Sequence, residues 1–149
     1  MTADVTFQVV GTPGTKGSKN AVVRGGRAVM YEASGKKLWP WMRAIQGAAR
    51  HALEGREWQL EGPMRVRLQF FLQRPRTHHT GGDLTLPIKP AAPRVPIAKN
   101  RDDLDKLARA ALDALTGIAW ADDGQVCSLV ATKDYGPAWT GCAITVEAG

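Results

Sequence analysis

Hydrophobic and polar residues alternate in several short segments of the chain, a pattern typical of β-strands with one buried face. The clearest lies at 63–72, where apolar side chains occupy one face and Arg65 and Arg67 the other. Another segment alternates around Gly25-Gly26, which favours a two-residue hairpin turn. The pattern predicts strands within residues 5–10, 21–31, 63–72, 125–133 and 139–146.

Two other segments repeat their hydrophobic residues at helical spacing. The first covers about 36–54. Because Pro40 is tolerated only in the first turn of a helix, this helix is predicted to start near Trp39. The second covers about 103–116, where an apolar stripe is followed by Gly117 at the expected C-cap position.

The order of these elements, three strands, a helix, a strand, a long loop, a helix and two strands, predicts an α+β fold. We expect a single domain over residues 1–149, with a small mixed β-sheet and two main helices packed on it. No repeat occurs at any period. Trp41 and Trp120 fall on apolar patterns and are predicted to lie in the core.

The loop at about 73–101 differs in kind from the rest of the chain. It contains five of the nine prolines, which exclude a regular helix or a central strand. A loop of this length within a compact domain is usually functional or disordered. The loop is also basic. It has one acidic residue, Asp83, and six basic residues: Arg74, Arg76, Lys89, Arg94, Lys99 and Arg101.

Composition narrows the function without deciding it. The net charge of +6 over 149 residues favours an acidic partner, nucleic acid ahead of a membrane surface. No signal peptide and no transmembrane run is visible, so the protein is predicted to be cytoplasmic. Cys127 and Cys142 lie in apolar segments, form no metal-binding pair and are predicted to be buried thiols.

Five carboxylates lie at the two ends of the second predicted helix, in a protein that is otherwise basic. Asp102, Asp103 and Asp105 precede or begin the helix, and Asp122 and Asp123 follow it. Helix capping explains two of the first three. Oxygen-only clusters also suit Mg²⁺ or Mn²⁺, and spacing alone leaves the two interpretations equal.

Helix geometry constrains the metal interpretation. Residues two apart on a helix point about 200° apart, so Asp103 and Asp105 converge only if Asp103 lies in the extended approach to the helix. Arg109 falls on the Asp105 face. Its cation could stabilise an anionic transition state or form a plain surface pair with Asp105, and both fit equally well.

Two further motifs are weaker. The segment 11–18 nearly imitates a Walker A loop, but its order is Lys-Gly-Ser and a hairpin follows, so nucleotide hydrolysis is rejected. Lys16 and Lys19 there could hold a DNA phosphate, although an ordinary strand-end turn explains the segment about as well. The adjacent His78 and His79 are more often solvated than metal ligands.

The residues 103–126 carry a resemblance. Asp103-Leu-Asp105-Lys-Leu-x-Arg109, Leu112-Asp-Ala-Leu115-Thr-Gly117 and Trp120-x-Asp-Asp123-x-Gln-Val126 resemble the RusA family of Holliday-junction resolvases in order and in spacing. The opening strand and its glycine-rich turn are also similar to the actinobacterial and phage branch of the family. The match is dense over residues 99–136, and the segment 73–98 is longer than in a minimal member.

The resemblance implies a Mg²⁺-dependent endonuclease in a bacterial or phage-infected cell. A homodimer would cut branched DNA by paired symmetric nicks in recombination and repair, with no nucleotide cofactor. Asp103, Asp105 and Asp123 match the family's metal-binding carboxylates, and Arg109 matches its catalytic basic residue. Since arginine cannot give up its proton, it can only stabilise charge here, and Lys106 is a second candidate for that role.

By selecting those three carboxylates, the resemblance leaves Asp102 and Asp122 as cap and neighbour. DNA-binding residues are predicted from charge, in the turn and the loop: Lys16, Lys19, Arg74, Arg76, Lys99 and Arg101. The alternatives to a nuclease are a catalytically silent protein that binds branched DNA and a metal-dependent enzyme acting on small phosphates.

Overall fold

The computed structural model describes residues 3–17, 19–32, 35–99, 101–136 and 138–149. Within them lie six strands and two helices, in the order predicted: β1 Ala3–Val10, β2 Lys19–Arg24, β3 Arg27–Glu32, α1 Gly35–Leu53, β4 Met64–Leu72, α2 Leu104–Leu115, β5 Val126–Tyr135 and β6 Gly141–Ala148. Three short 3-10 helices occupy the connections: Arg76–His78, Thr80–Gly82 and Asp123–Gln125.

Four strands form the main sheet, in the spatial order β1-β6-β4-β5. β6 pairs antiparallel with both β1 and β4, whereas β4 and β5 run parallel. The sheet is therefore mixed, as predicted. β2 and β3 form a separate two-stranded hairpin around Gly25-Gly26.

One face of the main sheet carries the core. The alternate residues of β4 from Met64 to Leu72 are buried, and the other face of that strand carries exposed Arg65 and Arg67. Apolar side chains of α1 and α2 pack over the buried face, with Trp41 and Trp120 fully enclosed as predicted. The predicted α+β class, with two helices on a small mixed sheet, is confirmed.

The start of α1 corrects one prediction. The helix begins at Gly35, so Pro40 lies in its second turn rather than its first. Proline removes one backbone donor there and leaves the carbonyl of Lys36 without its helical partner. Since Lys36 and Pro40 are both exposed, water can satisfy that carbonyl, which explains why the helix continues past the proline.

Of the two cysteines predicted to be buried, one is buried and the other is exposed. Cys142 is buried on β6, and burial raises the pKa of its thiol to about 12. Cys127 is exposed, because β5 is an edge strand that neighbouring elements cover incompletely. No helix among the described residues is long and apolar enough to cross a membrane.

The connection between β4 and β5 contains most of the predicted site residues. It leaves the sheet at Leu72, passes through the basic loop and returns along α2 to the start of β5. The loop is irregular, as predicted, but well braced: an isolated bridge joins His79 to Ile88, and Asp83 accepts hydrogen bonds from the backbone and hydroxyl of Thr85. Both the end of β4 and the start of α2 therefore lie at one edge of the sheet.

Candidate active site

Asp103 occupies the N-cap position of α2 without capping it. Its backbone carbonyl accepts hydrogen bonds from the backbone N–H groups of Lys106 and Leu107 at 3.1 and 2.9 Å, but its carboxylate makes no capping hydrogen bond. The capping interpretation therefore fails for Asp103. Its carboxylate is not used by the helix, and its backbone is non-helical, with φ of −59° and ψ of 130°, as convergence with Asp105 requires.

Asp102 is held in an unusual backbone conformation. With φ of 52°, it is the one non-glycine residue in the left-handed region within the described part of the chain. The ammonium of Lys133 donates to its backbone carbonyl at 3.1 Å, and Lys37 and Arg101 lie 3.5 and 3.8 Å from its carboxylate oxygens. Asp102 is thus the centre of a charged network and not a cap, contrary to our prediction.

Lys106 is the cation nearest to Asp103. Its Nζ lies 3.4 Å from Oδ2 of that carboxylate. The turn before β2 packs over the Lys106 side chain, because Gly17 approaches it so closely that an added Cβ would lie 3.4 Å from Cδ. The turn is fixed there by a hydrogen bond from the backbone N–H of Lys16 to the Lys106 carbonyl. Lys106 is therefore a positioned charge beside the carboxylate.

Asp105 and Arg109 both face solvent in the first turns of α2. Among the described residues, no ion pair joins them. The structure therefore does not support a surface ion pair between Asp105 and Arg109. Its guanidinium stays available to a substrate that approaches this face of the helix.

Asp122 and Asp123 lie far from that group. Asp122 caps the short helix that follows, through a capping box with Gln125, and so confirms the predicted structural role. Gln125 also donates to the carbonyls of Leu60 and Gly62, which fixes this turn at the opposite edge of the sheet from the start of α2. Asp123 is exposed beside it.

Two lengths give the separation of Asp123 from Asp103. The 12 residues of α2 between them extend about 18 Å. Along β5, the eight residues from Val126 to Lys133 extend roughly 23 Å. Within the described residues, no three or more His, Cys, Asp or Glu side chains are arranged to hold a metal ion. One chain therefore places Asp103 and Asp105 at the same helix start, with Asp123 apart from them.

The predicted DNA-binding residues differ in their availability. Lys16 forms an ion pair with Asp113 on α2, so its ammonium already has a partner. Arg74 is half-buried, stacks on the Tyr135 ring at 4.0 Å from its centroid and donates to the Pro93 carbonyl at 2.6 Å. Arg76 donates to the Gly82 carbonyl.

The rest of the set is more open. Lys99 and Arg101 are exposed near the start of α2. Lys19 begins β2, but its side chain lies outside the described part of the structure. Of the two adjacent histidines, His78 packs edge-on against Tyr135, and burial together with the charge of Arg74 lowers its pKa.

Sequence reasoning missed Lys37 and Lys133. Both are remote in sequence from the carboxylates, and their role depends on how β5 and α1 meet the start of α2. Lys133 did leave a signal, because it shares the helix-facing side of β5 with Leu129 and Ala131. A lysine on the inward side of a strand needs a polar partner.

The family model described as endodeoxyribonuclease RusA matches residues 11–147. The chain belongs to the RusA family. RusA proteins are endodeoxyribonucleases that act on branched DNA, so the carboxylates at the start of α2 belong to a nuclease fold. Among curated proteins, none matches the chain.

The donor set of this RusA chain suits a hard divalent cation in part. Asp103 and Asp105 offer carboxylate oxygens, the ligands that Mg²⁺ prefers, and the Asp103 carboxylate has no competing role as a cap. The Lys106 ammonium, 3.4 Å from the Asp103 carboxylate, reduces the mutual repulsion of these two acids. Among the described residues, no third carboxylate is arranged with them to hold an ion.

Proposed function

We propose that the protein is a Mg²⁺-dependent endonuclease that resolves Holliday junctions by paired nicks, as a homodimer, in DNA recombination and repair. One observation carries the proposal: at the start of α2, in a RusA-family chain, the Asp103 carboxylate caps no backbone group and instead lies 3.4 Å from Lys106. A carboxylate that leaves a helix start uncapped, where capping would stabilise the fold, indicates a functional demand.

The residues divide the chemistry between them. Asp103, Asp105 and Asp123 would hold Mg²⁺, or Mn²⁺ in its place. The bound ion would lower the pKa of the attacking water and neutralise the leaving 3′-oxygen. Lys106, positioned 3.4 Å from Asp103, balances the negative charge of the phosphate. Arg109 would add a second permanent positive charge from the open side of the helix, without acting as a base.

A second copy of the chain would complete the site. β5 pairs with β4 along one edge, and its other edge has no partner strand among the described residues. Exposed Leu129 and Val130 lie midway along it. If two β5 strands paired antiparallel about a two-fold axis, the start of one would lie beside the end of the other. Asp123 of the partner subunit would then approach Asp103 and Asp105.

DNA affinity would come from the basic surface around this edge. Lys99 and Arg101 are exposed just before α2, Arg76 is exposed in the basic loop, and all three add to a net charge of +6. Phosphate contacts from such residues release counterions and give affinity that does not depend on sequence. Preference for a junction would then come from the arrangement of two such surfaces in a dimer.

The test is cleavage of a synthetic four-way junction by wild type and by Asp103→Asn. We expect wild type to cut in Mg²⁺, and the variant to bind the junction equally well without cutting it. Asp4→Asn, an exposed change at the distant start of β1, is the matched control and should retain full cleavage. If wild type binds the junction but never cuts it in Mg²⁺ or Mn²⁺, the protein is a silent branched-DNA-binding protein instead.

A further inference from the structure

A small cleft adjoins the candidate active site at the edge where β4 and β5 end. Its volume is about 130 Å³. Its walls are mostly apolar and come from the two strand ends and the basic loop: Leu72, Pro75, Pro93, Pro96, Ile97 and Tyr135. Arg101 and Asp102 also line it, so it opens within one residue of Asp103.

The cleft is braced by a fixed set of contacts. Arg74 stacks on Tyr135, donates to the carbonyl of Pro93 at 2.6 Å and lies 3.3 Å from Nδ1 of His78. One guanidinium thus joins a strand end to both sides of the loop. A cleft held open in this way is ready for a ligand and does not need to be formed by it.

Polar groups are few and lie among flat apolar surfaces. Gln73 and His78 line the cleft beside the prolines and Tyr135. The Arg74 guanidinium can only donate, so Nδ1 of His78 accepts its bond and Nε2 is left as a donor for a ligand. Burial and the charge of Arg74 also lower the pKa of this imidazole. Apolar faces for stacking, with a few neutral hydrogen-bonding groups at the edge, complement a nucleobase.

We propose that this cleft binds one unstacked nucleobase of the DNA substrate, close to the scissile phosphate. The proposal rests on the proposed nuclease function and adds a subsite to it. The volume of about 130 Å³ suits a single base better than a base pair. A protein segment is the less favoured occupant, because Arg101 and the nearby exposed Lys99 suit the phosphates on either side of a base.

The position of the cleft gives the base a purpose. A base held there would fix the register of the strand against the carboxylates, since the cleft lining reaches Asp102. Only DNA whose bases can leave the stack, as at a branch point, would reach the cleft at low cost. Selectivity for branched DNA would then arise partly within one subunit.

The experiment uses a set of four-way junctions, each lacking one base near the cleavage position. Binding is measured in EDTA, so that no cleavage occurs and no metal is needed. For wild type, we expect one abasic position to weaken binding by roughly ten- to a hundredfold, the range for loss of one stacked base. The other abasic positions should have little effect.

Two phenylalanine substitutions in the same loop provide the matched comparison. Ala98→Phe fills the cleft and should abolish the dependence on that one base. Ala91→Phe adds the same bulk at an exposed loop position outside the cleft lining and should retain it. Ile97→Ala removes an exposed part of the wall, where folding is not at risk, and should reduce the dependence without abolishing it.

The base subsite is overturned if no abasic position weakens wild-type binding, or if Ala98→Phe keeps the full dependence while folded. In that outcome the cleft is available to a protein segment. Failure of the nuclease proposal looks different. Intact junctions would then remain uncut in Mg²⁺, whatever the abasic series shows in EDTA.

Discussion

The ammonium of Lys133 donates a hydrogen bond to the backbone carbonyl of Asp102 at 3.1 Å and so joins the end of β5 to the start of α2. Asp102 adopts a left-handed conformation that costs free energy and persists only where neighbours hold it. Lys133 is one of those neighbours. The orientation of the Asp103 carboxylate therefore depends on a residue that lies thirty positions further along the chain.

We expect Lys133→Met to slow junction cleavage by roughly 10- to 100-fold, the usual cost of losing a residue that orients a metal ligand. Binding of the junction in EDTA should stay unchanged, because Lys133 is half-buried and contacts Asp102. Lys133→Arg keeps the donor and should recover part of the rate. A fully active Lys133→Met would show that the left-handed conformation of Asp102 does not depend on Lys133.

Mixing two inactive variants tests whether the site is shared between subunits. Asp103→Asn and Asp123→Asn should each be inactive alone. In a heterodimer of the two, one site has both carboxylates and the other has neither, so about a quarter of the wild-type sites should return in an equal mixture. The product should be single nicks. If all three carboxylates acted within one chain, mixing would restore nothing.

The free edge of β5 gives a second test of the dimer. Leu129→Lys combined with Val130→Lys places charges on both faces of the edge strand, where like charges from two copies would meet. We expect a folded monomer by light scattering, with cleavage lost. Val10→Lys makes a similar change on β1, the opposite edge strand, and should remain dimeric.

Two glycines should respond in opposite ways to alanine. Gly141 has φ of 145°, and an added Cβ would collide with the Val9 carbonyl, so Gly141→Ala should destabilise by about 2 kcal/mol or more. Gly47 lies in α1 with open space around it, so Gly47→Ala should stabilise by about 0.5–1 kcal/mol. Urea denaturation midpoints measure both. Equal midpoints would contradict the packing of β6 against β1.

His78 gives a prediction about pH. Its pKa is lowered from the ordinary value of 6.5, first by burial and then by Arg74. A group that binds its proton more weakly when folded contributes stability above pH 6.5, and this contribution is lost as the pH falls through the folded-state pKa. NMR titration should place the midpoint of His78 below 6.5, and Arg74→Met should raise it. An unchanged midpoint in the variant would show that Arg74 does not lower the pKa of His78.

Much of the fold follows from local pattern. The alternation in β4 and the apolar stripe of α2 each show which side chains face the core. Once one face of a strand is known to be buried, the orientation of its other side chains follows. Pro40 misled because a helix tolerates proline in its second turn where water reaches the freed carbonyl. Cys127 misled because the sequence does not state which strand lies at the edge.

The site was predictable where it is local. Asp103 and Asp105 lie at one helix start, as the sequence indicated, and spacing alone showed that they could cooperate only there. The separation of Asp123 from Asp103 could also have been predicted from the sequence, because a helix of known length lies between these two residues. The contacts of Lys133, Lys37 and Arg74 were not, because each joins elements whose relative position is set by core packing.

The parallel pair β4 and β5 has an architectural consequence. Because the loop leaves β4 and reaches α2 at the same edge of the sheet, its two anchor points are neighbours in space whatever its length. Residues can be added or removed between Gln73 and Ala98 without shifting a strand or the helix. The fold thus separates the end of the sheet that carries the proposed active site from a loop whose length can vary, so substrate choice can change in the loop while the proposed site keeps its place.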